Sequence, residues 1–423
     1  MNFKLGARLT VMMLLEYAIW GAWAPVLSEY LTKAMPNGGL GFSDAQMGLV
    51  YSVLPLATIV TPFIAGQVAD RRFATQKLLG VLQFLSSASL FVMATQHTLN
   101  GMLTWMLIYS LLYAPTLALT NSLAFHHMSA SEKEFGIVRV GGTVGWIISG
   151  LLLTLVRSAL PTLTPHGMSD CLALAGVMAF LLGIFSFTLP HTPPQKNAAN
   201  PLAFLDALKM LKDRNFAVFM IISFVVATEL QFYYMLTAPF LTNDMGIDSS
   251  KVPAVLTIAQ AAEFIVMGFL LPYLLPKIGV RKAMVIGILA WPIRYIIFAA
   301  GASFHALKPL VIAALSLHGF CYVFFFVVGF IYVDQIAHKD IRASAQSLVA
   351  LIVLGAGTYV GSLFAGWIGS AFTNPVTKVE NWTGVFLVPC ALTIVCAIVF
   401  PFLFRDTPAV AKEAVDEEPL TAV

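Results

Sequence analysis

Glu16, Trp20 and Trp23 stand at i, i+4 and i+7 of one apolar run, a spacing that sets a carboxyl and two indoles on one side of a helix. Arg139, Thr143 and Trp146 repeat that spacing, with Gly141, Gly142, Gly145 and Gly150 supplying small faces for close helix contact. Another run carries Glu229, Gln231, Tyr233 and Tyr234. Gln260 and Glu263 share a helix face at i, i+3, and His318 and Tyr322 do so at i, i+4 beside Phe324, Phe325 and Phe326. This collection suits a flat ligand with polar edges: rings stack on its faces, while amide, carboxyl, guanidinium and hydroxyl groups bond its rim. Trp20 and Trp23 suit interfacial anchoring as well, and His318 suits a packed, hydrogen-bonded role. A structural ion pair with a buried glutamate is one role open to Arg294, which is left out of the site.

Other chemistries find no support in the spacing. The Gly-rich RVGGTVG lies inside an apolar run without phosphate-loop spacing, so it packs helices. Cys171, Cys321, Cys390 and Cys396 lie in apolar runs without ligand spacing and read as small core hydrophobes. His126 and His127, at a run's end, read as loop residues. The expectation is therefore no enzyme, no metal and no cofactor. A net charge of +3 with no basic stripe gives no nucleic-acid partner.

The elements that carry these groups follow from composition. Of 423 residues 59% are hydrophobic and only 11% charged, with a mean hydropathy of +0.84, which excludes a soluble enzyme and makes a bilayer the solvent. At roughly 20 apolar residues per span plus a loop, the length accommodates about twelve spans. Apolar windows run at 9–31, 45–68, 78–94, 101–124, 137–156 and 171–189, then 216–241, 252–275, 283–300, 310–333, 345–372 and 385–404. Glu16 interrupts the first window, which is also too long for a cleaved leader. The longest internal polar interruption, His191 to Pro201, followed by an amphipathic stretch from Leu202 to Leu211, marks the midpoint. Lys and Arg collect on the side of the termini, with Lys33, Arg157, Lys251, Lys308 and Lys378 on the far side, so both termini are expected to be cytoplasmic. An ionisable group at mid-span costs on the order of 3 kcal/mol, so each one in these windows is a functional candidate.

A weak repeat relates the halves: a basic cluster follows the second window (Gly66 to Lys77) and the eighth (Pro272 to Lys282). The first copy, GQVADRR, resembles the cytoplasmic loop signature of the major facilitator superfamily, with Phe73 and Ala74 where glycine is usual. Within that superfamily the chain resembles the nucleoside:proton symporter family over nearly its whole length. The likeness is carried by MNFKL at the start, WGAW at Trp20 to Trp23, FGIVRVGGTVGW at Phe135 to Trp146, ELQ at Glu229 to Gln231, QAAE at Gln260 to Glu263, and YVDQIAHKDIRASAQ at Tyr332 to Gln346.

The resemblance implies an all-α major facilitator fold of 12 transmembrane helices: a six-helix half at 1–190, a cytoplasmic linker at 191–214, a second six-helix half at 215–405 and a tail at 406–423. It implies a monomeric importer of nucleosides working by alternating access in a bacterial inner membrane, with nucleoside, protons and lipid as its partners. The positions matching the family's nucleoside site are Arg139, Thr143, Trp146, Gln231, Tyr234, Gln260, Glu263, His318 and Tyr322. Three departures stand out. Family members carry an aspartate implicated in proton coupling immediately after the aromatic matching Tyr322, where this chain has Val323. An amide is usual at the position of Tyr234, and Trp146 and His318 replace Phe and Tyr. Coupling then falls to Glu16, Glu229 or Glu263, or the protein is a uniporter; a carrier of another small polar solute, such as a sugar, is the remaining alternative. Asp70, Arg71, Asp334 and Arg342 are expected to form ion pairs that shut the cytoplasmic side.

Overall fold

In a bilayer every backbone N–H and C=O must find its partner within the protein, so apolar runs of this length become helices. The computed structural model describes residues 3–128, 131–159, 168–193, 204–338 and 341–405, and among these the one strand-like pairing is an isolated bridge between Thr373 and Glu380. The side chains of residues 62–72, 131–135 and a few others lie outside the description, as does the segment 406–423.

The helices of the first half are α1 (Phe3–Trp23, continued after a turn by Leu27–Thr32), α2 (Asp44–Arg72), α3 (Thr75–Met93), α4 (Leu99–His126), α5 (Ser131–Ala159) and α6 (Asp170–Ser186). Those of the second half are α7 (Arg214–Asn243), α8 (from Val252), α9 (280–303), α10 (308–336), α11 (342–372) and α12 (Trp382–Leu403). Nine helical stretches among the described residues are long and apolar enough to cross a membrane. One of them, Val252–Ser303, is split by non-helical backbone at Gly279 (φ 75°) into α8 and α9. With the shorter α6 and with α2, twelve rods result. The boundaries agree with the apolar windows to within several residues. The amphipathic stretch before α7 forms one short turn of helix, Phe204–Ala207, and a 3₁₀ turn, Leu208–Lys212.

Local chemistry starts the rods. Ser43 accepts from the Gln46 backbone while the Gln46 side chain accepts from the Ser43 N–H, a reciprocal cap for α2. Asp213 caps α7 and Asn381 caps α12. Many large apolar side chains, including Leu155, Phe269, Ile398 and Phe402, are exposed on the outside of the bundle, the surface that lipid covers. The glycines of α5 serve close packing: a Cβ on Gly141 would meet the Thr10 carbonyl at 2.5 Å, so α1 and α5 touch backbone to backbone.

The two halves meet at the end of the bundle opposite the termini. There Lys33 donates to Ser249 Oγ (2.9 Å), Arg157 to the Ser249 carbonyl (3.0 Å), Thr242 to Glu29 (3.1 Å), the Ala254 N–H to Thr154 (2.9 Å) and the Ala45 N–H to Ser370 (2.8 Å). Gly48 of α2 lies so close to α11 that a Cβ on it would come 2.6 Å from the Ser362 carbonyl oxygen.

Candidate functional site

Midway along the rods, α1 and α5 of the first half face α7, α8 and α10 of the second. Trp20 packs on Trp146 within the first half, ring centres 5.6 Å apart, and Trp146 reaches Tyr234 of α7 at 6.1 Å, so an aromatic contact crosses the boundary. Behind it, His318 is stacked between Tyr233 (4.7 Å, 20°) and Tyr322 (5.8 Å, 28°), with the edge of Tyr234 at 6.0 Å. The chain's own pattern explains the wall: the adjacent Tyr233 and Tyr234 splay around the face of α7, and His318 and Tyr322 share one side of α10.

Polar groups are set among these rings. Arg139 lies over the Tyr17 ring at 4.1 Å. It is within electrostatic reach of Glu263 and Tyr322, yet no ion pair within 4.0 Å joins it to Glu263. Glu263 keeps part of its surface open, 16% for the side chain, and its Oε2 is 4.0 Å from His318 Nε2. Gln260, one helical turn away, lines a narrow cleft with Gly21, Trp146 and Thr257 from both halves. Gln231 Oε1 lies 3.2 Å from Ser362 Oγ of α11, whose hydroxyl also has the Thr358 carbonyl at 2.8 Å. Thr143 is half-buried on α5, one turn from both Arg139 and Trp146. The result is a cluster of aromatic faces with a carboxylate, a guanidinium and two amides at its edges, the arrangement a flat polar ring needs.

The structure separates the three glutamates. Glu263 alone stands at the junction of the halves. Glu16 is fully buried inside the first half, where Gln83 donates to it at 2.9 Å and Thr116 at 2.6 Å. Trp23 also turns inward and donates to Tyr109 at 3.1 Å. The expected common face of Glu16, Trp20 and Trp23 is therefore divided, because positions i and i+4 differ by about 40° and neighbours pack on both sides of α1. Glu229 is buried inside the second half, both carboxyl oxygens without a hydrogen-bond partner among the described residues, while its backbone carbonyl accepts from Tyr295 (2.7 Å).

The ion pair that is one role open to Arg294 is not formed. Arg294 makes no ion pair with any described carboxylate; its Nη1 lies 3.3 Å from His318 Nδ1, and its guanidinium sits over Tyr233 (4.3 Å) and Trp291 (4.6 Å). Trp291 stands one turn before it on α9, while Tyr233 and His318 are brought from α7 and α10, which no spacing along α9 could reveal. Of the expected gate, Asp334 and Arg342 pair at 3.4 Å, but both belong to the second half; the side chains of Asp70 and Arg71 lie outside the described residues. His127 bonds Thr192 at 2.9 Å, and no grouping of three His, Cys, Asp or Glu suited to a metal occurs among the described residues.

Comparison with known proteins agrees with this architecture. The family described as nucleoside H+ symporter matches residues 1–409. A putative nucleoside transporter, YegT of Escherichia coli K12, is 35% identical over 96% of this chain and 95% of its own. The xanthosine permease of the same organism is 30% identical over 95% and 96%. The crystal structure of the nucleoside transporter NupG superposes with a TM-score of 0.83 at 26% identity, covering 96% of this chain and all of the other. The POT-family transporter PepTSo shares the fold at a TM-score of 0.72 and 14% identity. Since the match runs unbroken through both halves and the junction between them, the chain belongs to the nucleoside H+ symporter family of the major facilitator superfamily, a multi-pass membrane transporter of nucleosides and not an enzyme.

Proposed function

We propose that nucleoside binds at the junction of the halves, its base against Trp146, Tyr234 and Tyr322 and its polar edges on Arg139, Thr143, Gln231, Gln260, Glu263 and His318. The observation that carries this is the Trp146–Tyr234 contact: one aromatic wall is built from both halves, so the bound ligand senses their relative position. Alternating access then follows from rocking one half against the other about this site. The halves are stitched at the end opposite the termini, and the distribution of Lys and Arg puts the termini in the cytoplasm, so this conformation opens inward. A bacterial inner membrane is the setting. One chain supplies every residue of the site, which supports a monomer.

For coupling, Glu263 is the proton carrier best placed, since it alone of Glu16, Glu229 and Glu263 stands where substrate and a second charge, Arg139, meet. A specific observation favours uniport as the second reading: Val323, where relatives of this type carry an acid, is fully buried among apolar neighbours. Uptake of labelled uridine and adenosine into proteoliposomes separates them. Accumulation above equilibrium that needs an inward proton gradient supports symport; saturable uptake that only equilibrates supports uniport. Absence of uptake of either nucleoside, with hexose uptake instead, would overturn the substrate.

A further inference from the structure

Arg294 is fully buried, and its Nη1 is 3.3 Å from Nδ1 of the equally buried His318. A guanidinium has five donors and no acceptor, so this contact is a hydrogen bond only when Nδ1 carries a lone pair. The other tautomer would set one N–H against another. The imidazole proton is thereby assigned to Nε2, which has no hydrogen-bond partner among the described residues and lies 4.0 Å from Oε2 of Glu263.

The ring has little freedom to escape this arrangement. Tyr233 and Tyr322 stack on it at 4.7 and 5.8 Å, and Tyr233 is itself covered by the Arg294 guanidinium at 4.3 Å. Beside it, α8 and α10 approach so closely that a Cβ on Gly319 would meet the Glu263 backbone nitrogen at 2.8 Å. His318 and Glu263 are therefore fixed relative to one another by backbone as well as by side chains.

We infer that Arg294 is a positioning residue of the nucleoside site, holding His318 as the Nε2–H tautomer so that this enclosed N–H is turned toward the Glu263 carboxylate, which keeps open surface for the ligand. This rests on the reading that Glu263 meets the nucleoside. A carboxylate so backed accepts from a donor on the base: the ring N–H of uridine or inosine, or the amino group of adenosine. With the opposite tautomer a lone pair on Nε2 would stand against the carboxylate instead. Arg294 touches no ligand in this arrangement; it acts through the imidazole, as the hydrogen bond at one ring nitrogen sets the role of the other.

The test is solid-state ¹⁵N NMR of histidine-labelled full-length protein in lipid bilayers, with the His318 signals identified by their loss in His318→Gln. The expected spectrum has a protonated Nε2 and a pyridine-type Nδ1. A protonated Nδ1 in the wild type would overturn the inference, whatever the behaviour of any variant. Arg294→Met is expected to populate the Nδ1–H form and raise the KM for uridine about tenfold, the effect of one lost buried hydrogen bond, with Vmax within about twofold. Arg294→Lys, which keeps a donor, is expected to restore both signals. An unchanged spectrum in a folded Arg294→Met protein would also overturn it. The wild-type signature together with absence of nucleoside uptake would uphold the tautomer and overturn the nucleoside reading instead.

Discussion

The two halves keep their buried charges in different ways. In the first, Glu16 is saturated by Gln83 and Thr116, and the described helices that surround it are regular. In the second, three helices are interrupted by π-turns, at Val266–Leu270, Tyr322–Val327 and Leu351–Gly357, while among the described residues the Glu229 carboxyl has no hydrogen-bond partner and neither do Nε and Nη2 of Arg294. An unpaired polar group in a dry interior is costly, and a π-turn lengthens the backbone ring beyond its best geometry. Such features persist where function retains them. Two of the three turns lie next to Glu263 and at Tyr322, on the walls of the site. The contrast is between an interior acid that is paired, Glu16, and interior charges that are not, Glu229 and Arg294.

The sharpest way to break that contrast is to remove the second half's charge at the junction. Glu263→Gln is expected to lower nucleoside uptake in proteoliposomes about 100-fold, the scale of losing a charge-assisted hydrogen bond. Retention of more than about a third of the activity would put the reactive group elsewhere. A somewhat smaller loss, about tenfold, is expected where the halves touch. Gly48→Val would drive a side chain into the Ser362 carbonyl, so the seam could not close while equilibrium binding of uridine, read by calorimetry, survives.

Next in size is a direct comparison of the two interior acids. Glu16→Gln puts an amide N–H₂ where one of the two carboxyl oxygens accepts, against either the Gln83 or the Thr116 donor, and is expected to cost about 1–3 kcal/mol of stability. Glu229→Gln disrupts no side-chain hydrogen bond and is expected to cost less than about 1 kcal/mol. Thermal unfolding in detergent measures both; equal losses would remove the distinction between the halves.

The smallest effect concerns pH at the seam. Glu380, in the loop between α11 and α12, is pushed up to about 8 by burial and by the carboxylates of Asp44 and Asp244 nearby. A carboxyl raised in the closed seam binds its proton more tightly there than when the seam is open, so closure is favoured at low pH. That advantage is lost as pH rises from the ordinary glutamate range toward about 8 and changes no further above it. Spin-label distances across this end are expected to shift toward the open form between about pH 5 and pH 8 in the wild type, and in Glu380→Gln to keep only the part of that shift that Asp44 carries, at the acid end of the range.

Much of this was legible in the chain. Apolar windows located the rods because a bilayer tolerates no other backbone solution, and the glycines of α5 announced close contacts that the structure realises against α1. The seam was not legible: Lys33, Arg157 and Ser249 are loop or helix-end residues far apart in sequence, and nothing local pairs them.

The amino-acid sequence by itself determined the solvent of this protein, the course of its helices and the short roster of ionisable side chains inside them. Only the tertiary structure decided which of those side chains meet. A soluble helix has one wet face, and periodicity then tells which residues point inward. A spanning helix in a bundle of twelve is apolar on nearly every side, so each polar residue faces a different neighbour. Packing alone sent Glu16 to Gln83, left Glu229 dry, and brought Arg294 behind His318.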